Sequence, residues 1–167
     1  MKNVLLNITK VLLISTGLVT ASCAGTQSVI INVEPTIQEH IDTYFIEKLK
    51  ELDSNKPSHA IEFKFADLDD TRLGACRFHR DPTRPRVVEI DHEKWLGASN
   101  SRREQLVFHE LGHCDLGIAH TEAGIMSPKQ LKDSFYISNR NSLVKELFSI
   151  SRDNIEVPKL SRQGHEH

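Results

Sequence analysis

The segment His109-Glu110-Leu111-Gly112-His113 holds two imidazoles four residues apart, with a carboxylate directly after the first. On a helix, residues four apart stand one turn above each other on one face, so both rings can reach a single tetrahedral ion. Glu110 is turned about the axis from them, where its carboxylate contacts a metal-bound water and not the metal. The chemistry this spacing supports is hydrolysis: zinc acidifies water and polarises a carbonyl while the carboxylate moves the proton. A helical histidine pair also arises by chance and then faces solvent. The surroundings argue for a site, because His120 lies just beyond Gly117 and an Ile125-Met126-Ser127-Pro128 segment follows.

A helix has to carry these residues, and its signals are present. Ser101 and Glu104 read as an S-x-x-E capping box ahead of Leu106, Val107, Phe108 and Leu111. They predict a helix from about Arg102 to Leu116, with Gly117 as its left-handed stop. Upstream, Pro35 opens an amphipathic helix in which Ile37, Ile41, Phe45, Leu49 and Leu52 recur at steps of three and four. Residues 53–57 break it, and 61–65 then alternate apolar and charged as a half-buried strand does. Short strands are expected over 75–78 and 86–91, antiparallel across the Pro-rich turn at 81–85. Trp95 is expected to anchor the chain before the site helix, and a last helix over 141–149 closes the core. The expected class is α+β: an N-terminal helix on a small, mostly antiparallel sheet, then the active-site helix and a C-terminal helix.

With 167 residues there is room for one compact domain. A net charge of -2, from 21 Lys+Arg against 23 Asp+Glu, supplies no basic field for phosphate backbones, so nucleic acid is not an expected partner. Lys2 and Lys10 precede an apolar stretch over 11–19, which is too short for a bilayer span and has the layout of a secretory signal. It ends in Val19-Thr20-Ala21-Ser22-Cys23, which resembles the lipobox of bacterial lipoproteins. That resemblance implies a signal peptide over 1–22, acyl chains on Cys23, a linker over 23–33, a domain over 34–167 and a place on a membrane of the cell envelope. The alternative is cleavage near Ala21 and a soluble secreted chain. Export puts Cys76 and Cys114 in an oxidising compartment, where they either form a disulfide or stay as buried thiols. Asp67, Asp69 and Asp70 read as a solvated turn in preference to a calcium site, and the tail from Gly164 to His167 as a loose end.

The stretch from Val87 to Pro128 resembles the metzincin metallopeptidases, whose pattern is H-E-x-x-H-x-x-G-x-x-H followed by a methionine-containing turn. The resemblance implies one zinc ion held by His109, His113 and His120, with Glu110 as the catalytic base and Met126 in the Met-turn. It also implies a polypeptide substrate paired with an edge strand, expected at 87–91, and hence an endopeptidase of the cell envelope. The alternative function is a zinc-containing, non-catalytic binding lipoprotein on the same fold. This chain departs from the pattern by placing three residues, Cys114, Asp115 and Leu116, between His113 and Gly117. One extra helical residue turns the exit by ~100°, so a compensating loop is needed for His120 to arrive. Otherwise Glu122, His79 and His92 are the substitutes by residue type. Pro128 stands where many of these enzymes carry a tyrosine; Tyr136 is the candidate replacement.

Overall fold

The computed structural model describes residues 30–31, 33–81 and 83–156. The expected signal peptide, the lipidated Cys23, Pro82 and the histidines of the tail lie outside the described residues. The elements are β1 (Ile30–Ile31), α1 (Pro35–Leu52), β2 (Ile61–Ala66), β3 (Gly74–Arg77) and β4 (Arg86–Asp91). Three helices follow: α2 (His92–Gly97), α3 (Asn100–Cys114) and α4 (Asp133–Glu156). The class is α+β. Among the described residues no helix is long and apolar enough to cross a membrane.

The sheet runs β1-β2-β4-β3 and corrects the expectation of a mostly antiparallel sheet, while the antiparallel pairing expected across the Pro-rich turn is found. β1 pairs with β2 and β2 with β4 in parallel, and only β3 with β4 is antiparallel. The physical reason is the crossover. Helix α1 returns the chain to the starting end of the sheet between β1 and β2, so β2 must run the same way as β1. Ile30 and Ile31, expected in the linker, therefore supply a short edge strand beside Ile61 and Glu62. β4 is interior and not an edge, because β2 and β3 flank it; the far edge is β3.

One face of the sheet is apolar and the other charged. Ile61 and Phe63 of β2 with Val88 and Ile90 of β4 are fully buried under the helices. On the opposite face Glu89 takes Lys64 at 3.0 Å and Arg77 at 2.9 Å. Onto the apolar face pack Ile37, Ile41 and Tyr44 of α1 and Val107, Phe108 and Leu111 of α3, with Leu147 and Phe148 of α4 closing the core. The buried seam of α1 is Ile37, His40, Ile41, Tyr44 and Lys48, while Leu49 is 46% exposed, so the seam is rotated from the stripe expected.

Helix α3 begins at Asn100, two residues before the predicted start. Ser99, not Ser101, is the N-cap, its Oγ accepting from the Arg102 amide at 3.3 Å. Glu104 is drawn instead to Arg140 of α4, at 2.6 Å. The final helix is longer than expected at both ends; its start is stitched to the α3 cap by Ser99 Oγ donating to Asp133 at 2.8 Å.

Candidate metal centre

His109 and His113 lie on one face of α3, and His120 comes back onto them from the loop that follows. The Nε2 atoms of His113 and His109 are 3.1 Å apart, and those of His109 and His120 3.2 Å. The orientation of the first two rings is enforced from behind. His109 Nδ1 lies 2.7 Å from the Ile125 carbonyl and His113 Nδ1 2.7 Å from the Ile118 carbonyl. A carbonyl only accepts, so each Nδ1 carries the proton, and a neutral ring then presents a bare Nε2 lone pair to the centre. Burial keeps His109 neutral, pushing its pKa down to about 4 against the favourable Ile125 bond, with His113 and His120 adding repulsion. His113 is lowered for the same first reason. Lone pairs facing each other at hydrogen-bond distance repel; a cation between them removes the repulsion. The three histidines can therefore hold a metal ion.

The helix exit before Gly117 is widened. The Leu111 carbonyl takes both the Asp115 amide at 2.8 Å and the Leu116 amide at 3.3 Å, and Ile118 closes back on the Gly112 carbonyl at 3.0 Å. Gly117 has φ 70, the left-handed conformation that a side chain would oppose. Each of the three residues between His113 and Gly117 is also held. Cys114 is disulfide-bonded to Cys76 of β3, with Cα atoms 5.6 Å apart. The Asp115 carboxylate is buried, accepting from Lys48 at 2.7 Å, Tyr44 at 3.0 Å and the Ser58 amide. Leu116 packs against the core. Beyond the turn, the Thr121 amide donates to the Met126 carbonyl at 3.0 Å, which closes the loop and fixes His120 beside it.

Met126 is 1% exposed and runs under α3 against Gly112. A Cβ at Gly112 would overlap the Met126 sulfur, so this closeness requires glycine. A second glycine serves Glu110. A Cβ at Gly74 of β3 would stand 2.7 Å from Glu110 Oε1, so the carboxylate occupies the space where a side chain on β3 would be. Burial raises Glu110 to about 8, and its Oε2 has no partner within the protein. An orphaned buried carboxylate oxygen beside three imidazoles fits a cation and its water, and a nearby dication would lower that pKa again. Glu110 is not among the clustered ligand atoms.

Among the described residues Glu122, His79 and His92 do not join the cluster. His92 instead stacks on Phe65, with ring centroids 4.7 Å apart. Tyr136 is buried beside Glu104 and Arg140 and does not line the cleft, which removes it as the tyrosine replacement. Asp69 caps its own turn through Thr71 and Arg72, leaving the acidic cluster without metal geometry. Trp95 is buried in α2 and donates to Thr36 Oγ1 at 3.2 Å, tying the approach to α3 onto α1.

The cleft over the histidines is about 540 Å³, within the range of small-molecule binding sites. Its walls are Leu73, with Gly74 and Ala75 of β3, and the loop from Gly124 to Leu131. Residue reasoning passed over Gly74, Gln105 and the Lys48–Asp115 pair. Glycine in a strand does signal close approach of another group, and Gln105 is one turn before His109 on the same face. No local pattern marks Lys48 and Asp115 as partners. Comparisons with protein-family models, with curated proteins and with solved structures gave no match.

Proposed function

We propose that this chain is a zinc-dependent endopeptidase of the metzincin kind. The observation that carries the reading is the convergence of three imidazole Nε2 atoms, two of them pre-oriented by backbone carbonyls, beside a buried carboxylate with an unpartnered oxygen. Zinc suits an all-imidazole set of three ligands with an open fourth position, and when bound it supplies Lewis acidity toward the scissile carbonyl and the attacking water. His109, His113 and His120 hold it. Glu110 takes the proton from water as its oxygen attacks the carbonyl carbon. The same proton then passes to the amide nitrogen as the C–N bond breaks. Gly74 keeps the space Glu110 needs for both transfers.

Polypeptide is the proposed substrate because β3 is a sheet edge that lines the cleft. The unpaired backbone groups of an edge strand can take an extended peptide with little demand on its sequence. This moves the expected pairing strand from β4 to β3. The proposed location, a lipid anchor through Cys23 on the cell envelope, rests on the sequence of the export signal.

The test is cleavage of casein or a peptide library by zinc-loaded protein, wild type against Glu110→Ala. The expected result is cleavage by wild type, lost in the variant with zinc content unchanged. Equal behaviour of the two favours a non-catalytic zinc-binding lipoprotein.

A further inference from the structure

Gln105 is 4% exposed and lines the cleft from one turn before His109. Its two polar atoms have different fates. Oε1 accepts from the Leu131 amide at 3.1 Å, while Nε2 is buried and has no partner. Exchanging the two would set donor against donor at Leu131, so the amide orientation is determined and the left-over group is an N–H₂ donor. A buried donor without a partner costs stability, of the order of a lost hydrogen bond, unless a ligand completes it. Nothing on α3 needs a glutamine for packing: Leu106, Val107 and Phe108 supply the apolar contacts of this turn.

We propose that Gln105 Nε2 is a specificity determinant of the cleft that selects a substrate side chain carrying an oxygen acceptor, a carboxylate ahead of an amide. Carboxylate leads because Lys129 and Arg72, the latter paired with Asp69 at 2.8 Å, line the same cleft, and Glu110 is its one acidic wall residue among those described. The position follows from helix geometry. Four residues are ~6 Å along α3, and an extended peptide advances ~3.3 Å per residue, so the selected side chain lies within about two residues of the scissile bond. The inference rests on the peptidase reading for the identity of the substrate, but the orphan donor does not.

Two measurements test it. In the first, metal-free protein labelled with ¹⁵N is titrated with N-acetyl-glutamate N-methylamide and, separately, with its leucine counterpart. The side-chain amide signal of Gln105 should shift saturably with the glutamate compound and not with the leucine one. Equal shifts, or none, overturn the proposal. In the second, zinc-loaded wild type and Gln105→Leu cleave paired peptides differing only by Glu or Leu near the cut. The wild-type preference for Glu in kcat/KM should fall about tenfold or more in the variant, as loss of a hydrogen bond to a charged group predicts. An unchanged preference refutes it. If no peptide is cut at all, the peptidase reading fails, and the titration still decides the role of Gln105. The titration also stands alone should Gln105→Leu not fold.

Discussion

Replacing Gly112 by alanine tests the packing beneath the metal ligands by sign as well as size. In an ordinary helix interior this change stabilises by about 1 kcal/mol, because alanine restricts the unfolded chain and glycine does not. Here the new methyl group would overlap the Met126 sulfur, with Met126 Cε at 3.0 Å and Leu147 Cδ1 at 3.4 Å. A methionine end in open space would swing aside, but Met126 is 1% exposed and has no room to do so. Overpacking of this kind costs roughly 1–3 kcal/mol. A full overlap in a closed site belongs at the upper end, so the net change is a loss of about 2 kcal/mol after the helix gain. With a urea slope of about 1–3 kcal/mol/M, the unfolding midpoint falls by about 1 M. Met126 follows Ile125, whose carbonyl orients His109, so zinc affinity in a competition titration should fall as well. Gly97→Ala is the control, since nothing lies within 4 Å of a Cβ there; it should be neutral or stabilising. A Gly112→Ala protein as stable as wild type, with unchanged zinc affinity, would refute the seating of Met126 under the site.

Gly74→Ala pushes the Glu110 carboxylate from its place at 2.7 Å; cleavage should fall by about 10²-fold, as a displacement near 1 Å at a reacting group does, while zinc content measured by elemental analysis stays at wild-type level. Asp115→Ala strands the buried Lys48 ammonium, so chemical denaturation should show a loss of about 3–5 kcal/mol, largely recovered when Lys48→Met is added. Opening the Cys76–Cys114 disulfide, which spans 38 residues, should cost about 4 kcal/mol by the chain-entropy relation, seen as a lowered urea midpoint under reductant. Acid should destabilise the metal-free Glu110→Gln protein, in which the opposing titration of Glu110, raised to about 8 by burial, is removed. Burial holds His109 at about 4 in the fold against an ordinary 6.5, so between those values the unfolded chain binds the proton and the fold does not. The His109 contribution therefore drops as pH falls through that window; urea midpoints of this variant that do not decline from pH 7 to 4 would contradict the burial of His109.

Local periodicity made much of the helical frame legible, because α1 and α3 each bury one stripe and their ends carry Pro35 and Gly117. It erred where tertiary contacts decided. Lys48 reads as a solvent-facing residue, yet its partner is a carboxylate on another helix exit, and only their pairing makes burial tolerable. The parallel pairing of β2 with β4 was hidden for a similar reason: strand direction depends on the path of the crossover, and β1 is two residues long. For the site, H-E-x-x-H placed three groups through helix geometry alone. The arrival of His120 was implied by the resemblance and not by helix geometry, since it depends on a shared Leu111 carbonyl, the disulfide at Cys114 and the Asp115 cluster. Each is a long-range or turn-specific contact with no signature in the spacing of residues.

X-ray absorption at the zinc K-edge, on protein whose metal content has been quantified, addresses the three-histidine centre most directly. The account predicts one zinc per chain with about three imidazole nitrogens at ~2.0–2.1 Å and an oxygen completing the tetrahedron, reduced by one imidazole in His120→Ala. Protein that retains no stoichiometric metal, or a shell unchanged by that substitution, would contradict it.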